Sequence, residues 1–195
     1  MDTEHADPGE LKALRAAFPP EFRLPPLGWD AVRAFEHEHG IVLPEPYRTL
    51  VAEICDGCGE APADVEGLIP VAELPPDWGP DASQRVLSKP FPLDRAWVWE
   101  DDIRPYEEIE PLIDDVSNHG SVVLGTGGCG MYWHLVVTGP HRGRIWTVSD
   151  VGAAPFGAET GHVTTGVGFA DWVVYWRTME FSAEFSPLTS TALHL

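Results

Sequence analysis

The sequence predicts a single α+β domain in which helices flank a mixed or antiparallel β-sheet. Three observations carry this reading. Between Trp29 and Ile54 apolar residues recur at helical spacing. Between Ser121 and Val148 they alternate at strand spacing around two glycine-rich turns. From Phe169 the helical spacing returns. A chain of 195 residues suits one such domain with short extensions. The expected boundaries are 1–27 for an N-terminal helix and Pro-rich linker, 28–180 for the domain proper, and 181–195 for a C-terminal tail.

Glu10 to Phe18 is expected to form a short helix, because Leu11, Leu14 and Phe18 fall on one face. Pro19-Pro20 stops it, and Pro25-Pro26-Leu27 holds the chain extended. The next helix runs from Asp30 to about His39, with Trp29, Val32 and Phe35 on its apolar side and Glu36, His37 and Glu38 on its wet side. Gly40 suits its C-terminal end. A further helix opens at Pro44-Glu45-Pro46, where proline costs little. Tyr47, Leu50, Val51 and Ile54 form its buried stripe, and Gly57 and Gly59 end it.

Gly67 to Val71 reads as an edge strand, since Pro70 cannot donate within a central ladder. Pro75 to Asp94 holds five prolines and reads as an irregular loop. Ala96 to Trp99 reads as a strand or an aromatic plug, and Glu100 to Asp115 as an acidic segment, helical near Tyr106 to Ile113. Ser121 to Leu124 is a strand and Gly125 to Gly130 a turn. Met131 to Thr138 alternates Met131, Trp133, Leu135 and Val137 against Tyr132, His134, Val136 and Thr138. Gly139 to Gly143 turns the chain and Arg144 to Val148 returns it, a hairpin with a five-residue loop. Asp150 to Thr160 reads as a loop, and Phe169 to Met179 as the last helix, with Phe169, Trp172, Val173 and Trp176 on one face. Ser182 to Leu195 reads as a loosely held tail.

Composition narrows the function classes. Asp and Glu number 31 against 12 Lys and Arg, a net charge of −19. Such a surface repels nucleic acid and anionic membranes and attracts a basic partner, although acidity also serves plain solubility. The start, MDTEHADPGE, is acidic and lacks the apolar stretch of a signal peptide. No apolar run approaches the roughly 18 residues of a membrane span. Three cysteines do not make a secreted disulfide framework. The expectation is a soluble, cytoplasmic protein.

The order and spacing of these pieces carry a family resemblance. They are Leu43-Pro44 with Tyr47, Leu50 to Gly57-Cys58-Gly59, and Val123-Leu124-Gly125 to Cys129-Gly130. The hairpin from Trp133-His134-Leu135 through Gly143 and the helix from Phe169 to Trp176 complete the set. Over roughly residues 28 to 180 the chain resembles the SUKH (Smi/Knr-like) superfamily. The resemblance implies an α+β domain whose mixed or antiparallel sheet is flanked by helices. It implies binding without catalysis: many bacterial members act as immunity proteins that neutralise polymorphic toxins, often nucleases, and others are interaction modules. The chain departs from a minimal member by its N-terminal extension, its Pro-rich loop and its acidic segment.

Other constellations are weighed against plainer roles. Cys55-Asp56-Gly57-Cys58 has the spacing of a zinc or thiol-exchange motif, and Cys129 with His119 or His134 would complete four ligands on paper. The motif closes a helix, however, and lacks the helix N-terminus that activates a redox thiol. Gly125 to Gly130 leads into a strand, whereas a phosphate-binding loop leads into a helix. The spacing of Cys129 and His134 puts them on opposite strand faces. The acidic run lacks the spacing of a calcium loop, and a charge run is most often a solvated face. Its flanking aromatics suit an interface with a basic surface.

The expectation for function is therefore a binding module, with no enzymatic activity, no cofactor and no metal. It would be an immunity-type protein whose carboxylates stand in for the phosphates that a basic nuclease toxin engages. The candidate partner-binding residues are Trp97, Trp99, Asp101, Asp102, Tyr106, Glu107 and Glu108. The alternative is a housekeeping regulatory module with an endogenous protein partner.

Overall fold

A computed structural model describes residues 5–59, 67–157 and 167–178. The first helix, α1 (Pro8–Ala17), starts where the Asp7 side chain accepts the Gly9 and Glu10 N–H groups at 2.7 and 3.3 Å. It buries Leu14 and Ala17, and Phe18 follows them into the core. The extended segment after it is tied down by main-chain bonds, Leu24 N–H to Gly57 and Leu27 N–H to Val51, each at 3.0 Å. The N-terminal extension thus contributes to the same apolar core as the two helices that follow it.

Helix α2 (Trp29–His39) ends at Gly40, which takes the left-handed conformation at φ +65°. Helix α3 (Tyr47–Glu53) buries Tyr47, Leu50 and Val51, and Ile54 follows as expected. The wet side assigned to α2 needs one correction. Glu36 is buried, because Arg48 of α3 reaches across to it: Nε donates to Oε1 at 2.7 Å and Nη2 to Oε2 at 2.8 Å.

The sheet consists of β1 (Trp97–Val98), β2 (Ser121–Gly128), β3 (Met131–Val136), β4 (Ile145–Val148) and β5 (Gly152–Pro155). Its spatial order is β1-β5-β4-β3-β2, and every pairing is antiparallel. Helix α4 (Tyr106–Asn118) precedes β2, and α5 (Phe169–Thr178) closes the described chain. The expected α+β architecture is present, with an antiparallel sheet.

Both faces of the sheet are covered. On one, Val122, Leu124, Trp133, Leu135 and Ile145 pack with residues of α1, α2, α3 and α5. On the other, Val136, Trp146, Val148 and Ala153 pack with Ile109 and Val116 of α4 and with Phe91 and Trp99. This explains why the two alternating sets along 131–138 are both largely apolar: neither faces water.

Several sequence-based expectations change. The glycine-rich turn shrinks to Cys129 and Gly130, both at positive φ (52° and 74°), as a two-residue type I′ hairpin requires. The preceding glycines belong to β2, which absorbs them at irregularities between Val123 and Gly125 and between Thr126 and Gly128. The expected loop from Asp150 contains β5, whose small residues give no alternation to read. Gly67 to Val71 is not a strand of the sheet: Leu68 makes an isolated bridge to Cys58, and Ile69 N–H donates to the Leu124 carbonyl at 3.0 Å. Helix α4 extends five residues beyond Ile113, with Pro111 inside it. The Trp176 side chain and the tail from Ser182 to Leu195 lie outside the described residues. No helix among the described residues is long and apolar enough to cross a membrane.

Candidate functional site

The acidic segment begins at the outer strand β1 and is organised by a clasp. The Trp97 indole N–H donates to Asp102 Oδ2 at 2.9 Å. Arg104 grips the same carboxylate with Nε on Oδ1 at 3.0 Å and Nη2 on Oδ2 at 2.7 Å, and its main-chain N–H adds a bond to Oδ1 at 3.0 Å. Its guanidinium also lies 5.4 Å from the centre of a Trp97 ring. The Arg104 side chain, then its main-chain N–H, then Trp97 hold the Asp102 carboxyl well below the usual carboxylate range. The clasp fixes the corner between β1 and α4 and sets the exposed residues around it.

The seven candidate residues divide by environment. Trp99 is a core residue: it is buried beside Ile109, Val116 and Trp146, and its indole N–H donates to the Asp150 carbonyl at 2.6 Å. Trp97 is half-buried, packed edge-on against Trp99 with ring centres 5.4 Å apart. Asp102 is committed to the clasp. Asp101, Tyr106, Glu107 and Glu108 are exposed and stand together at the corner and on the first turn of α4.

The sequence reading missed three neighbours. Ile103 is fully exposed (100%), Leu112 is 41% exposed, and Glu110 faces solvent on α4. Helical spacing puts Glu110 one turn beyond Tyr106 and Glu107, and that signal was available. Nothing in the pattern distinguished Ile103 from a core residue. A groove of about 290 Å³ adjoins the corner, lined by Leu93, Arg95, Trp97, Arg104 and Leu112 among others.

The cysteine motif has the surroundings of packing residues. Cys55 and Cys58 are buried and unbridged, and burial, with the nearby Cys58 adding to it, pushes the Cys55 thiol up to about 12. Cys129 is exposed at the hairpin tip, whereas His134 is fully buried. Among the described residues no group of three or more His, Cys, Asp and Glu could hold a metal ion. In the native protein a thiol-disulfide reagent is expected to label Cys129 rapidly and Cys55 and Cys58 only after unfolding. Rapid native labelling of Cys55 would contradict the packing role.

With this geometry in view, comparison with known proteins gives one match. A family model described as the SMI1 / KNR4 family (SUKH-1) matches residues 26–174. No curated protein and no solved structure matches the chain.

Proposed function

Because the chain belongs to the SMI1 / KNR4 family (SUKH-1), we propose that it is an immunity-type binding protein, acting in the cytoplasm, that engages a basic toxin domain and covers its active site. It works by occupancy and not by catalysis. The observation that carries this reading is the corner between β1 and α4. There Ile103, Tyr106 and Leu112 are exposed at 100%, 60% and 41% among the carboxylates of Asp101, Glu107, Glu108, Glu110 and Asp114.

Each part has a physical role. Exposed apolar side chains rimmed by charge mark interaction surfaces, and a tyrosine supplies a large, stiff anchor at low entropic cost. The carboxylates steer a basic partner and occupy the positions that nucleic-acid phosphates take on a nuclease. The Trp97–Asp102–Arg104 clasp orders the corner before binding, so little freedom is lost on association. Trp99 and Asp102, engaged internally, support the surface and leave partner contact to their exposed neighbours.

Capture of partners on the immobilised chain from native lysate, at low and at high salt, tests the reading. The expected result is a basic domain retained at low salt and weakened at high salt, whose toxicity on expression is relieved by co-expression of this chain. An endogenous, non-toxic partner would replace the immunity reading with that of a regulatory module.

The contact residues make a separate prediction. The combined variant Asp101→Asn, Glu107→Gln, Glu108→Gln and Glu110→Gln is expected to keep its stability and to bind the partner about tenfold more weakly at low salt. Unchanged affinity would make the acidic surface a solvated face only.

A further inference from the structure

Arg85 is a half-buried cation without a counter-charge among the described residues. Its Nη2 donates to the Ser121 carbonyl at 3.2 Å, and its guanidinium lies 5.4 Å from the centre of a Trp78 ring. Its Nη1 is shut off from solvent and has no hydrogen-bond partner among the described residues. No carboxylate among those residues forms an ion pair with it. Burial pulls its pKa down to about 10, which leaves it protonated at neutral pH.

Two side chains around it share the deficit. His134 of β3 is fully buried, with Nδ1 2.8 Å from Ser121 Oγ and its ring centre 5.9 Å from that of Trp78. Its Nε2 has no partner among the described residues, and neither has Trp78 Nε1. Burial, with Arg85 adding to it, drives the His134 pKa down to about 3 and keeps the ring neutral beside the guanidinium. Buried polar groups are nearly always hydrogen-bonded, and a buried charge is nearly always paired. Three exceptions on three adjoining residues, Arg85 Nη1, Trp78 Nε1 and His134 Nε2, call for an occupant.

We propose that Arg85, Trp78 and His134 form a binding site for a small oxyanion of the phosphate or carboxylate class. Such an ion accepts from Arg85 Nη1 and Trp78 Nε1. It selects the His134 tautomer in which Nδ1 accepts from Ser121 Oγ–H and Nε2 carries the proton as a third donor. It neutralises Arg85 where low polarity makes charge-assisted hydrogen bonds strong. Water would satisfy the donors and leave the charge unmet. Trp78 and Arg85 belong to the irregular segment 75–94 and His134 to the sheet. The bound ion therefore fastens that segment across the sheet. The site is separate from the corner between β1 and α4 and does not depend on the toxin-binding reading.

Thermal unfolding of the full chain at fixed ionic strength tests the site, with chloride replaced by inorganic phosphate in one series and by acetate in another. The expected result is a saturable rise in Tm in one series, of about 5 °C at about a hundredfold excess over Kd, lost in Arg85→Met. The series that responds identifies the class of ion. No rise in either, or an equal rise in Arg85→Met, overturns the site. Where Arg85→Met fails to fold, nitrogen–proton NMR of the native His134 imidazole decides. The ion is expected to fix the Nε2-protonated tautomer with saturable shifts, and resonances that stay put overturn the proposal.

Discussion

Glu36→Ala is expected to lower the unfolding free energy by about 4 kcal/mol. The carboxylate serves three donors: Arg48 Nε at 2.7 Å, Arg48 Nη2 at 2.8 Å and the Leu43 N–H at 2.9 Å. Both charged side chains are largely shielded, at 16% exposure for Arg48 and 7% for Glu36. Arg48 also lies 5.3 Å from the centre of a Trp29 ring, so the pair joins both ends of α2 to α3. Removing Glu36 leaves a half-buried guanidinium and a buried N–H unpaired, and such orphaned groups account for most of the expected loss. The double variant Glu36→Leu, Arg48→Met is expected to recover much of it, because an apolar pair leaves neither charge stranded. Urea unfolding of the two variants checks this. A loss below about 1 kcal/mol in Glu36→Ala would class the pair with ordinary surface ion pairs.

Acidification from about pH 6.5 to about pH 5 is expected to cost the native protein about 2 kcal/mol more than it costs His134→Gln. The His134 pKa falls to about 3 in the folded chain, from burial first and Arg85 second. The unfolded state, with an ordinary histidine, takes up a proton below about pH 6.5. The folded state does not, so protons favour unfolding. The stabilisation associated with neutral His134 is complete above the unfolded pKa and is lost as pH falls toward the folded one. Burial raises Glu45 and Asp56 instead, so their contributions run the opposite way at lower pH. The difference between the two proteins isolates His134. Parallel pH–stability curves for native protein and variant would show that the ring takes up protons in the folded state as readily as in the unfolded one.

The sequence told most where one residue type has one physical use. Pro19-Pro20 and Gly40 located the ends of α1 and α2, whereas α3 starts at Tyr47 and stops at Glu53, short of Gly57; the stripe of Tyr47, Leu50, Val51 and Ile54 identified α3 and its buried face. It told least where burial depends on a distant segment. Glu36 reads as a solvated helix residue until Arg48 covers it. Trp97 and Trp99 look alike in sequence, yet β1 is only two residues long and Trp99 turns into the core of the α4 side. The strand β5 was missed because Gly152, Ala153 and Ala154 carry no periodic signal. Asp101, Tyr106, Glu107 and Glu108 are candidates from charge and aromatic content alone, and the structure leaves all of them exposed. The commitment of Asp102 to Arg104 and the full exposure of Ile103 depend on how the corner folds. The Arg85 cluster had no sequence signature, because its members come from an irregular segment and a strand.

Titration calorimetry of the captured partner against the native chain and the Asp101→Asn, Glu107→Gln, Glu108→Gln, Glu110→Gln variant, at low and at high salt, tests the central claim most directly. The native chain is expected to bind with an affinity that falls steeply as salt rises, and the variant with a weaker affinity and a flatter dependence. Equal affinities with equal salt dependence would contradict the account and place the partner on another face of the domain.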